Sequence, residues 1–141
     1  MELKFRALCE VEYKDTSSKN MMVYFTHLEL DNGLWYNPND KDIYHINEWL
    51  SKPMQFTNFQ DCEKTDIYDG DILSDEVMTD EGLKMSLQQV FWDDKKGCWM
   101  LDFSHLQNKT SSSMLSNELL AYKYKIVGNI YENPGLLNLK S

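Results

Sequence analysis

The chain has 141 residues, 42% hydrophobic and 13% aromatic, which fits one globular domain or a domain with a small appendage and is too apolar for a disordered chain. Its 14 basic and 23 acidic residues give a net charge of −9. Neutralising a nucleic-acid backbone takes cations that displace counterions, so the balance speaks against direct DNA or RNA binding and leaves open a basic protein partner. The apolar runs are too short to span a membrane. The opening MELKFRALCEVEYK carries charges throughout and lacks the apolar stretch of a secretory signal. Cys9, Cys62 and Cys98 are odd in number and form no CxxC pair, as expected of reduced thiols in a cytoplasmic protein.

In chain order, Leu3 to Tyr13 alternates with period two and predicts a half-buried strand. The polar loop KDTSSKN leads to a second strand in MMVYFTHLEL, and the two read as an antiparallel hairpin. Asn32-Gly33 marks a tight turn. In DIYHINEWLSKP, Ile43, Ile46 and Leu50 stand at helical spacing, so a short helical turn and a strand are both compatible with it. From MQFTNF to Glu81 the chain reads as polar and acidic, with nine carboxylates and one lysine between Asp61 and Glu81. MSLQQVFWDDKKGCWMLDF predicts a hairpin turning at Asp93, Asp94 and Gly97. Ser116 is read as the cap of a helical turn in NELLAY. YKYKIVGNIYEN predicts a closing strand, followed by the NPGLL turn and a short apolar tail. Short strands with few helices make a small, mainly β fold with minor α content.

The stretch DIYDGDIL invites a metal site. Aligned as an EF-hand, with Gly70 at the sixth position, it puts Thr65 and Ile67 where carboxylates belong, and isoleucine cannot ligate a hard cation. Asp66, Asp69 and Asp71 remain weak candidates for a looser divalent site. As a turn the stretch is accounted for, because glycine takes positive φ freely and aspartate caps such turns. His27, His45 and His105 share no ligand spacing. No nucleophile elbow, Walker loop or dinucleotide fingerprint appears, so no catalytic residue and no cofactor is expected.

MQFTNFQDCEKTDIYDGDIL (54–73) and YKIVGNIYENPGLL (124–137), in that order after the opening LKFRA, resemble the YopX-like family of phage and prophage proteins. Asn58 stands where the family usually has glycine, and asparagine also tolerates the left-handed conformation. The resemblance implies a small SH3-like β-barrel or roll carrying an N-terminal β-hairpin extension and short helical turns, in the host bacterial cytoplasm. It carries no known activity. We divide the chain into an extension over 1–52 and a core over 53–141. The structural turn residues are Asp69, Gly70, Gly128, Asn129 and Pro134. Trp35, Tyr36, Trp49, Trp92 and Trp99 are more aromatics than so small a core needs, and are candidate interface anchors. A non-enzymatic, self-associating interaction module is the first expectation, since exposed edge strands must be paired or covered. An acidic nucleic-acid mimic that inhibits a basic host enzyme is the alternative, and a divalent-metal-dependent enzyme the second.

Overall fold

The computed structural model describes residues 2–13, 17–26, 30–31, 33–103 and 112–138. They form twelve strands, one α-helix and one 3₁₀ turn, in a seven-stranded and a five-stranded sheet. By contact the chain divides into Met1–Phe56 and Thr57–Ser141.

The first unit is built on β1 (Phe5–Glu12), which pairs along its length with β2 (Lys19–Phe25). Its other edge takes β5 (Asp42–Trp49) opposite Cys9–Glu12, and the start of β6 (Met54–Gln60) opposite Phe5 and Arg6. Beyond β5 lie β4 (Leu34–Asn37) and the short β3 (Leu30–Asp31). Gly33, at φ 81°, follows β3 in the turn where a left-handed residue was expected; Asn32, His27 and His105 lie outside the described residues. The helical spacing read in DIYHINEW is overruled. Tyr44 and Ile46, two apart, face inward while Ile43 and His45 face out, and a half-buried strand satisfies this alternation where a helix would not.

Ala7, Cys9, Val11, Val23, Trp35, Tyr44 and Ile46 make the core of this unit. In the order β4-β5-β1-β2, a flat sheet would hold β4 about 14 Å from β2. Yet the indole Nε1 of Trp35 on β4 donates to the carbonyl of Tyr24 on β2 at 2.9 Å. The sheet must therefore curl, and Trp35 spans the inside of the curl, its ring tilted at 45° against that of Tyr44 with the centroids 5.4 Å apart. Burial pushes the Cys9 thiol from 9.0 up to about 11. A raised pKa favours the folded state while the thiol is protonated. That contribution is complete below pH 9.0 and disappears as pH rises through 11. The urea stability of the wild type should therefore fall more steeply between those limits than that of Cys9→Ala; parallel curves would refute this.

The second unit holds the rest of β6, then β7 (Asp66–Tyr68), β8 (Asp71–Thr79), β9 (Gly82–Asp93), β10 (Cys98–Asp102), β11 (Ser112–Met114), α1 (Leu115–Ala121) and β12 (Tyr124–Asn129). Its five-stranded antiparallel sheet runs β11-β10-β9-β8-β12. Ile67, Leu73, Val90, Leu101, Leu115 and Tyr124 form the core. The acidic stretch after Met54 is largely strand: Phe56, Ile67, Tyr68, Ile72 and Leu73 are all buried, and Ile72 and Leu73 open β8 after the DIYDGDIL turn, as the reading of that stretch as a turn into a buried strand expects. The β9–β10 hairpin turns at Asp93–Gly97 as expected, with Gly97 at φ 64° and its N–H on the Asp93 carbonyl at 2.7 Å. Ser116 does not cap α1. The cap position belongs to Met114, which makes no side-chain cap bond. Ser113 donates instead to Glu118 Oε2 at 3.1 Å, and the Tyr124 hydroxyl donates to Glu118 Oε1 at 2.7 Å, so the helix is anchored through its glutamate.

Among the described residues the strands pair in open order, and no ladder closes either sheet on itself. No described helix is long and apolar enough to cross a membrane.

Candidate interaction surfaces and the signature residues

The residues that stand out in sequence divide into those that hold the fold and those left on its surface. In the 54–73 segment, Thr57 Oγ1 donates to the Ile67 carbonyl at 2.7 Å and accepts the Phe59 N–H at 3.1 Å. Asn58 between them sits at φ 69°, the left-handed conformation that asparagine tolerates. Replacing buried Thr57 by valine leaves a donor and an acceptor unsatisfied and should cost about 1–2 kcal/mol in denaturant titration; an unchanged midpoint would refute the role. Asp61, which in sequence counts only as one carboxylate of the acidic stretch, is 5% exposed. Its Oδ1 accepts the N–H groups of Glu63 and Thr65, both at 2.9 Å, and its Oδ2 that of Ile126 at 3.0 Å. The one signal that could have found it is its place in the MQFTNFQD motif.

The turn in DIYDGDIL is present, with Gly70 at φ 85°. Its Gly70 N–H donates to the Val90 carbonyl, and its carbonyl accepts the Ile130 N–H, each at 3.0 Å. Within the turn the buried Asp71 carboxylate accepts the Tyr68 N–H at 2.7 Å. Asp66 accepts from Gln60 Nε2 at 3.0 Å. Among the described residues no three His, Cys, Asp or Glu side chains are placed to share a metal ion. His45, exposed, lies against Asn47 Oδ1 at 2.7 Å.

In the 124–137 segment, Asn129 Oδ1 accepts the N–H groups of Tyr131 and Glu132, and its Nδ2 donates to Glu132 Oε1 at 2.8 Å. Asn133 Oδ1 accepts the Asn129 N–H at 3.1 Å. That approach needs Gly128: a Cβ there would lie 2.6 Å from Asn133 Oδ1 and 3.0 Å from Leu136 Cδ2. Gly128→Ala should displace the turn and destabilise by about 1–3 kcal/mol, read as a lower thermal midpoint; an unshifted one would show that the turn gives way freely. Pro134 lies exposed in the turn that follows.

The five aromatic candidates part company. Trp35 is 2% exposed and belongs to the core, because its strand parity matches Tyr44 and Ile46 rather than Leu34 and Tyr36. It offers nothing to a partner. Tyr36 and Trp49 are each 43% exposed, and Trp92 45%. Trp92 packs edge-on against Trp99, half-buried on the core of the second unit, at 5.1 Å. Register sets Leu34 and Tyr36 opposite His45 and Ile43 on the outer face of the β4–β5 hairpin. Leu34, Tyr36 and Ile43 there make a contiguous exposed apolar strip, which sequence spacing did not reveal.

Two antiparallel sheets, with buried Thr57, Asp61 and Asn129 holding the loops and turns of the second unit and no assembled catalytic set among the described residues, define a small mainly β protein. The sequence profile of the YopX protein family matches residues 4–138, and the chain belongs to that family. The crystal structure of protein EF1440 from Enterococcus faecalis is similar in fold, at 24% identity and a TM-score of 0.53, over 97% of this chain and 99% of that one. No curated protein matches the chain.

Proposed function

We propose that the chain is a non-enzymatic, self-associating protein-interaction module of a phage or prophage, working in the bacterial cytoplasm on an SH3-like roll. The observation that carries this reading is the strip Leu34, Tyr36 and Ile43, exposed at 44%, 43% and 55% on one hairpin face. Such apolar neighbours on a strand face are what an association surface provides. The signature residues of both motifs are spent on turns and staples, which leaves surface contact as the available chemistry. Light scattering tests it: Tyr36→Lys with Ile43→Lys should lower the mass of the wild-type assembly. A wild type that stays monomeric at high concentration, and retains no specific protein when purified from host cells, would end the proposal.

The acidic mimic rests on fewer charges than the sequence offered, since Asp61 and Asp71 are buried and bonded internally. A host partner held equally well at high salt would remove it. The metal-dependent enzyme would need Asp66, Asp69 and Asp71 to converge, which no described grouping supports.

A further inference from the structure

The sheet of the second unit ends on β12, and the outer edge of an end strand is a row of donors and acceptors on which another strand can assemble. In an antiparallel ladder, alternate residues turn both backbone groups to the same side. On β12 the outward residues are Tyr124 and Ile126. The Tyr124 carbonyl accepts the Cys62 N–H at 2.9 Å, and the Ile126 N–H donates to Asp61 Oδ2 at 3.0 Å. A loop amide and a carboxylate thus stand where the N–H and C=O of a neighbouring strand would be. The same carboxylate closes its own loop through Glu63 and Thr65. Lys64 is held at φ 67°, a conformation a lysine adopts only at a cost. An exposed Lys125–Glu63 ion pair, at 3.2 Å, also bridges strand and loop.

We propose that the loop 61–65 is an edge guard: held by Asp61, it keeps β12 from accepting a further strand, and its release opens β12 to antiparallel pairing with β12 of a second copy. Val127, exposed beside the register shift between Ile126 and Gly128, is the apolar side chain such pairing would cover. The guard goes beyond the module proposed above, because it directs association to side-chain faces and away from the backbone edge.

Amide hydrogen exchange and light scattering on the wild type and Asp61→Asn test it. In the wild type, the Ile126 amide should be protected about as well as that of Lys125, which pairs toward Ser74 on β8. In dilute Asp61→Asn, before copies associate, the Ile126 amide should exchange roughly tenfold faster or more, with Lys125 still protected, and at higher concentration the mass should rise beyond that of the wild type as the Ile126 amide regains protection. Free exchange of Ile126 in the wild type overturns the proposal. So does a variant whose Ile126 amide opens without any added association. Should Asp61→Asn not fold, the wild-type exchange pattern decides, together with Cys62→Pro, which removes the donor to Tyr124, fixes φ at position 62 and restricts Asp61 before it, and should produce the same added association.

Discussion

Trp35→Ala should lower the stability of the first unit by about 3–5 kcal/mol, among the larger effects a single truncation produces. The side chain is enclosed by the core of Ala7, Cys9, Val11 and Val23, and its loss leaves a cavity inside the curl that the surrounding strands cannot fill without uncurling. Its indole also gives the Tyr24 carbonyl its bond at 2.9 Å, so the edge of β2 would face water or remain unsatisfied. Trp35→Phe separates the two contributions, keeping most of the volume and losing the donor, for about 1–2 kcal/mol. The neighbouring Tyr36→Ala, on the outer face, should stay within about 0.5 kcal/mol. Urea titration followed by circular dichroism measures all three. A Trp35→Ala midpoint close to that of Tyr36→Ala would show that the curl does not depend on the indole.

Asp61→Ala should cost about 3–5 kcal/mol, because three backbone donors lose a buried acceptor together. The surface ion pair between Glu63 and Lys125 cannot make up the loss, since both side chains are 57% exposed and solvent screens them. Asp61→Asn keeps one carbonyl oxygen but turns an amide toward donors, so it should fall between the alanine variant and the wild type. The ordering wild type, asparagine, alanine in denaturation midpoint is the measurable signature. Equal midpoints for the two variants would mean that the charge-assisted bonds, rather than the number of acceptors, set the cost; a midpoint unchanged in Asp61→Ala would remove the staple altogether.

The contrast between these two residues and the turns marks how far local reading reaches. Gly33, Gly70 and Gly97, together with Asn58, all adopt positive φ. Each was legible because the preference of such residues for the left-handed region is set by their own bonds. The β9–β10 hairpin was legible for the same reason. DIYHINEW stayed open between a helical turn and a strand because its apolar residues fit both periods, and only the pairing of Glu12 and Val11 with His45 and Ile46 decided between them. Ser116 failed because a serine before an apolar run is a helix start only if the chain turns there, and the cap position came two residues earlier, at Met114, with Glu118 reaching Ser113 and Tyr124.

The surface strip of Leu34, Tyr36 and Ile43 was hidden for a related reason. Tyr36 and Ile43 are neighbours across a hairpin, whereas Trp35, adjacent to Tyr36 in sequence, goes to the opposite face. Counting aromatics cannot separate them, and register can.

The amino-acid sequence alone determined the class of the molecule, its family, its glycine and asparagine turns, and the alternation that makes β1 and the β9–β10 hairpin strands. Those properties depend on residues within a few positions of one another. The tertiary structure decided which carboxylate is a staple, which tryptophan is core and which edge is covered. Asp61 meets Ile126 across 65 positions and Trp35 meets Tyr24 across 11. Burial and hydrogen-bond partners of that kind exist only once the sheets have curled and paired, so no local pattern in the chain announces them.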